Sequence, residues 1–212
     1  NGQEGVLVEG QNNRRTVVRN NFVGLRRVAP DGLITVATPN GGTAGILVTN
    51  GAREVTISTN TVGGTATAST GFPAILVQGD GTGSASEPSA TNVADVTLDA
   101  NRIGCLPNTM TMSPCGSDPI ARPNREGIVV TGGVRNVSML NNTVQLNIGA
   151  GIRLSDVYSV TLRSNANAPI AANSGDGILI GGNSFDVRVL STTLRSNAGQ
   201  AIRLTDNVQR VS

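Results

Sequence analysis

Few residues in this sequence could do chemistry, and they are of restricted kinds. All 16 basic side chains are Arg, and the chain has no Lys, no His and no Trp. Any mechanism that needs an imidazole or an amine is therefore excluded. What is left is guanidinium, carboxylate, two thiols and the single tyrosine, Tyr158. Two arginine and aspartate pairs recur at one internal spacing, Arg153 with Asp156 and Arg203 with Asp206. A guanidinium stays protonated unless its surroundings are extreme, so such a pair first implies ion pairing and turn chemistry. Tyr158 lies two residues before Val160, at the start of an alternating segment, where a structural tyrosine is the ordinary reading. Cys105 and Cys115 stand in a proline-rich stretch with Pro107, Pro114, Pro119 and Pro123. Two thiols cannot complete a structural zinc site without histidine. A loop-closing disulfide suits them, worth on the order of 2 to 3 kcal/mol, and it implies an oxidising, extracytoplasmic compartment. Gly181 to Asp186 approximates a calcium-binding glycine and aspartate nonapeptide, but it lacks the middle glycine and an adjacent copy, so it reads as a single turn. No metal or cofactor is expected. Asn136 and Asn141 begin Asn-x-Ser/Thr sequons.

The elements that position these residues come from a repeat. The block Gly5-Val6-Leu7-Val8 returns at Gly45, Ala74, Gly127, Gly151, Gly177 and Ala201, and the later copies are about 24 residues apart. A second block follows: Val55-Thr56-Ile57, Val96-Thr97-Leu98, Val137-Ser138-Met139, Val160-Thr161-Leu162 and Val187-Arg188-Val189. Each alternates apolar with polar, the period that turns one face of a strand inward. Next comes a corner asparagine, Asn20, Asn60, Asn101, Asn142 or Asn165, with Thr192 in another copy; two residues later Phe22, Val62, Ile103, Val144 or Leu194 restarts an inward position. Strands this short, with no helical crossover, cannot make an ordinary parallel sheet. They can if the chain coils, each turn stacking on the last at about 4.8 Å.

Stacking aligns Val6, Ile46, Ile75, Ile128, Ile152, Ile178 and Ile202 in one internal column, and stiff β-branched side chains suit that packing. The bend after the first strand holds Gly10, Asn50, Gly79, Gly132, Asp156, Gly182 and Asp206, types that tolerate positive φ. The asparagines would form a ladder, each bonding the next coil's Asn and satisfying polar groups that a corner would bury unpaired. Two insertions interrupt the repeat, residues 79–92 and 102–126.

The repeat resembles the right-handed parallel β-helix of the pectate-lyase-like superfamily. The resemblance implies an all-β solenoid of about seven coils of roughly 24 residues, over residues 1–212 as a single domain. The superfamily includes polysaccharide lyases and hydrolases, epimerases, tailspikes and non-catalytic surface proteins, so it fixes no activity. Its hydrolases use three Asp with nearby His and an Arg-x-Lys segment, a pattern this sequence lacks. Its pectate lyases combine acidic calcium ligands with an arginine base, which makes Arg153, Asp156, Arg203 and Asp206 the candidate catalytic residues of an enzymatic reading. Leu179 and Gly181 stand between the two pairs, so no carboxylate cluster is expected there.

The expectation is a non-catalytic extracellular or cell-surface β-helix module, serving as a spacer, adhesin or fibre component. The alternatives are a pectate-lyase-like polysaccharide lyase and a carbohydrate-binding module. A net charge of +2 with dispersed arginines does not suit nucleic acid, and no window is apolar enough for membrane insertion. Partners are expected to be flanking repeats, a second copy or a polysaccharide. Leu7, Leu47, Leu76 and Val129 form an outward apolar stripe, a contact surface unless the chain's own insertions cover it. The repeat starts at Gly5 and Val211 is still inward, the pattern of a piece of a longer repeat protein or of a subunit that stacks end to end.

Overall fold

A computed structural model describes residues 4–28, 33–37, 42–65, 71–82, 89, 91–106, 120–121, 123–164 and 166–212. Among them there are strands and turns but no helix. The strands fall into three parallel sheets that run the length of the rod, of seven, seven and six strands. The first sheet is built from Val6–Glu9, Ile46–Thr49, Ile75–Gln78, Ile128–Thr131, Ile152–Ser155, Ile178–Gly181 and Ile202–Leu204. In it Ile46, Ile75, Ile128, Ile152, Ile178 and Ile202 pair rung to rung with no slip. The second sheet contains Arg53–Ser58, Ala94–Asp99, Arg135–Leu140, Tyr158–Arg163 and Phe185–Leu190, and the third contains the short pairs Thr61–Val62 and Arg102–Ile103. Strands connected in sequence thus lie in different sheets, while hydrogen-bonded neighbours are one coil apart. That topology is a parallel β-helix.

The core is the lumen. Val48, Val55, Ile57, Val96, Leu98 and Ile103, drawn from all three sheets, are fully buried there. Apolar burial of this kind stabilises by about 25 cal/mol per Å² removed from water. Each coil closes through residues in the left-handed region. The bend after the first strand has positive φ at Gly10, Asn50, Gly132, Asp156, Gly182 and Asp206. Gly79, at the same position, does not. It is required for another reason, since a Cβ there would lie 2.0 Å from the Gly132 carbonyl oxygen.

Three features differ from the sequence expectation. The chain leaves the rod after the first coil in an antiparallel hairpin, Leu25–Val28 with Leu33–Ala37, an excursion that the repeat spacing alone did not delimit. The insertion expected at 102–126 is narrower than that, because Arg102–Ile103 is a rung of the third sheet and Asn124 is bonded into a corner of the rod. A second antiparallel pair, Cys105–Leu106 with Ile120–Ala121, forms the neck of this excursion. Finally, the first coil is shifted by one residue. Val18 is inward and Val17 is 57% exposed, so the inward residue of the third sheet is Val23, and Phe22 faces out. Doublets of Val and Asn at 17–18 and 20–21 leave a period of two undecided, and burial of Val18 decides it.

The four leucine and valine positions of the outward stripe are not one surface. Leu47 and Val129 are buried, Leu76 is half-buried and Leu7 is exposed. The structure holds one chain, so the chain itself covers the middle of the stripe. That leaves no continuous apolar contact strip.

Candidate functional site

The asparagine ladder sets the first corner. Asn60 Nδ2 donates to Asn101 Oδ1 at 3.0 Å, and Asn101 Nδ2 donates to Asn142 Oδ1 at 2.9 Å. Each backbone N–H is taken by the same oxygen of the next rung, Asn60 N to Asn101 Oδ1 at 3.0 Å and Asn101 N to Asn142 Oδ1 at 3.1 Å. The remaining amide hydrogen goes to a strand carbonyl, as from Asn101 to Ile57 O at 2.8 Å. In the first coil the ladder residue is Asn21, which donates to Asn60 Oδ1 through both N and Nδ2 at 3.0 Å. Asn20, the expected member, is instead a left-handed corner residue that accepts from the Thr59 hydroxyl at 2.7 Å. Asn165 lies outside the described residues.

A second ladder, which the sequence reading missed, runs along the corner between the third and first sheets. Asn124 Nδ2 donates to Asn147 Oδ1, Asn147 Nδ2 to Asn173 Oδ1 and Asn173 Nδ2 to Asn197 Oδ1, each at 2.9 Å. Its signal was present in the sequence as Asn147, Asn173 and Asn197, each two residues before a glycine and five before the next inward strand.

The candidate charged residues lie on the outer side of the first sheet. Arg153, Leu179 and Arg203 occupy one outward column on consecutive rungs. Each arginine has its own carboxylate. Arg153 donates from a terminal nitrogen to Glu126 Oε2 at 3.0 Å, with Nε 2.9 Å from Oε1 but poorly aligned for a second bond. Arg203 lies 3.9 Å from Asp176. The turn aspartates are engaged with backbone: Asp156 Oδ1 accepts from Asn183 N at 3.0 Å, and Asp206 Oδ2 from Gly182 N at 3.1 Å. Gly182 must be glycine, since a Cβ would lie 2.5 Å from Asp156 Oδ1. Arg153 and Asp206 do line a common depression with Leu179 and Thr205, but its 190 Å³ is below the roughly 300 Å³ at which ligand pockets begin. Among Arg153, Asp156, Arg203, Asp206, Glu126 and Asp176, pairs meet and no three converge.

The Gly181 to Asp186 segment is a turn closed by the Ser184 hydroxyl donating to Gly181 O at 2.6 Å, and Asp186 is shared between Arg188 at 3.4 Å and Arg210 at 3.8 Å. Tyr158 is half-buried, in register with Arg135 and Phe185 on the edge of the second sheet. Among the described residues no three His, Cys, Asp or Glu side chains are grouped to hold a metal ion. Cys105 is buried at the neck of its excursion, and Cys115 lies outside the described residues. The 79–92 loop is pinned at its base: Asn92 Oδ1 accepts from Asp80 N at 2.8 Å, and Asp80 accepts from the Thr82 and Thr91 hydroxyls and from Thr82 N. Those bonds, the Thr82 hydroxyl foremost, hold the Asp80 carboxyl below the usual carboxylate range.

The class defined by these features is a parallel β-helix with asparagine ladders at two corners and isolated ion pairs outside. No family model matches the chain, and no curated protein matches it. Among solved structures it is similar to the A-module of the mannuronan C-5 epimerase AlgE6 of Azotobacter vinelandii, at 15% identity and a TM-score of 0.49. The similarity covers 100% of this chain and 54% of that one, so the chain spans about half the length of that structure.

Proposed function

We propose that the chain is a non-catalytic β-helix module of an extracellular or cell-surface protein, a rigid spacer or binding scaffold whose partners are flanking repeats, a second copy or a polysaccharide. The observation that carries this is the pairwise use of the candidate catalytic groups. Arg153 and Arg203 each face one carboxylate, while Asp156 and Asp206 accept turn N–H groups. A lyase needs a base that is free at working pH and aimed at the substrate. The Arg153 guanidinium is instead engaged with the Glu126 carboxylate at 3.0 Å, so it is not left open toward a substrate. An extracytoplasmic setting also suits a bond between Cys105 and Cys115, which we include in the proposal.

The test is incubation with pectate, alginate and chondroitin, with and without calcium, followed by absorbance of the unsaturated product and by NMR for epimerisation. No product is expected. A product lost on Arg153→Ala or Arg203→Ala would overturn the reading in favour of a pectate-lyase-like enzyme.

A further inference from the structure

The outer faces of the three sheets differ in what they leave available. On the third sheet Thr61, Thr143 and Gln145 are buried although they are polar, and on the first sheet Leu47 and Val129 are covered. The outer face of the second sheet is open along its length, with outward residues half-buried or exposed on every rung except at Ala94. It also carries the charge. Arg14, Arg15 and Arg19 stand on its first rung, Arg53, Arg135 and Arg163 on later rungs, and Arg188 and Arg210 on the last two. That is half of the chain's 16 basic residues. Opposing them are Glu54, Asp95, Asp99 and Asp186, so this face is more positive than the whole chain at +2 and the remainder is negative.

Two details show what is unused there. Glu54 and Asp186 are already paired with Arg15, Arg188 and Arg210, whereas Arg14, Arg19, Arg135 and Arg163 have no carboxylate at ion-pair distance among the described residues. Down the centre of the face runs a column of hydroxyls, Thr56, Thr97, Ser138 and Thr161, on consecutive rungs. None of the four hydroxyls is hydrogen-bonded within the described structure. On the border of this column Tyr158 and Phe185 stand in register on adjacent rungs, two of the four aromatic side chains in the sequence.

We propose that the outer face of the second sheet binds a linear carboxylate-bearing polysaccharide laid along the rod axis. This deepens the reading of the rod as a scaffold and rests on it. A polyuronate presents hydroxyls and one carboxylate per sugar ring, and the face presents free hydroxyls on four consecutive rungs and at least one guanidinium on every rung except Ala94–Asp99, at the ~4.8 Å strand spacing. Planar guanidinium matches carboxylate geometry with paired N–H donors, and the ring of Tyr158 offers a platform for the apolar face of a sugar, while Phe185 holds the Arg210 guanidinium 5.1 Å from its ring centroid. Duplex nucleic acid carries a charge every ~1.7 Å of its axis and calls for denser cationic contact than this face offers.

The experiment is affinity electrophoresis of the full chain in gels containing polygalacturonate, with heparin and duplex DNA gels in parallel. Arg135→Gln with Arg163→Gln should weaken retardation by polygalacturonate about tenfold and reduce its salt dependence, since charge-assisted bonds are the strong ones. Thr97→Val with Thr161→Val, which keeps shape and removes only hydroxyls, should weaken it about threefold or more. Arg102→Gln with Arg195→Gln on the third sheet makes the same charge change and should leave it unaltered. Circular dichroism melts check that every variant is folded. The proposal is overturned by absence of retardation, by an equal effect of the third-sheet pair, or by tighter binding to heparin or DNA. None of these results touches the non-catalytic reading, which falls only if product appears.

Discussion

At the scale of single residues, the ladder asparagines matter more than any charged group outside the rod. Asn101 is fully buried, and its side chain takes part in four hydrogen bonds, to Asn60, Asn142 and Ile57. Asn101→Ala orphans the Asn60 donors and the Ile57 carbonyl, and each buried unsatisfied group costs about 1 to 3 kcal/mol, so a loss of at least about 3 kcal/mol is expected in chemical denaturation. Asn20→Ala loses one exposed bond and a left-handed preference, and should cost about 1 kcal/mol or less. Equal losses at the two positions would contradict the assignment of Asn21 as the ladder member. A second prediction concerns Asp80. Its folded pKa is depressed by the Thr82 and Thr91 hydroxyls, so its contribution is present above the ordinary carboxyl value near ~3.9 and is lost as pH falls through the lower folded value. The protection of the Thr82 amide, relative to its intrinsic exchange rate, should therefore fall in acid below that range, and Asp80→Asn should remove that pH dependence. The ladder was legible in sequence because it falls at a fixed offset from an inward strand. The one-residue error in the first coil arose where adjacent identical residues erased that offset.

Elements are held in register by their corners. The bend after the third strand uses Gly24, Gly64 and Gly104 in the early coils and Leu146, Ala172 and Ser196 in the later ones, all at positive φ. A left-handed non-glycine residue is strained by about 1 kcal/mol or more. At exposed Ala172, replacement by glycine should therefore raise stability by about 0.5 to 1 kcal/mol despite the added freedom of the unfolded chain. At Gly104 the reverse change puts a Cβ 1.9 Å from Gln145 O and 2.8 Å from Asn147 Oδ1. Gly104→Ala should cost several times the Ala172→Gly gain in a thermal melt, and a neutral result would show that the corner can relax. The inward strands were readable because β-branched residues alternate. The hairpin at Leu25–Val28 and the second ladder were not, since neither repeats in phase with the inward strands over the whole chain. The charged pairs show the same limit: spacing placed Arg153 and Arg203 in one outward column, but the carboxylates that engage them, Glu126 and Asp176, come from the turns that precede the strands.

Across the whole molecule the two ends of the rod are not equivalent. Of the inward residues of the first coil, Val8, Val18 and Val23 are only 3%, 8% and 5% exposed, and Val6 is half-buried. Those of the last coil stand open, Ile202 at 39% and Leu204 at 53%, although Ile178 and Ile180 one rung earlier are fully buried. The inward side chains of the first coil are thus better covered than those of the last. In a stacked repeat each coil is stabilised by its own fold and by its neighbours, so a coil with a single neighbour opens first. Opening should begin at Ile202–Leu204 and Gln209–Val211 and move inward. Ile178→Ala removes a fully packed side chain and should cost about 2 to 5 kcal/mol. Ile202→Ala removes one that is partly in water and should cost about 1 kcal/mol. Native-state hydrogen exchange should show amides of the last coil exchanging well before those paired across Ile46–Thr49 and Ile75–Gln78, with the first coil protected in between. Equal protection of the first and last coils in dilute solution would mean that the open layer is covered by a second molecule, and dilution would then expose it.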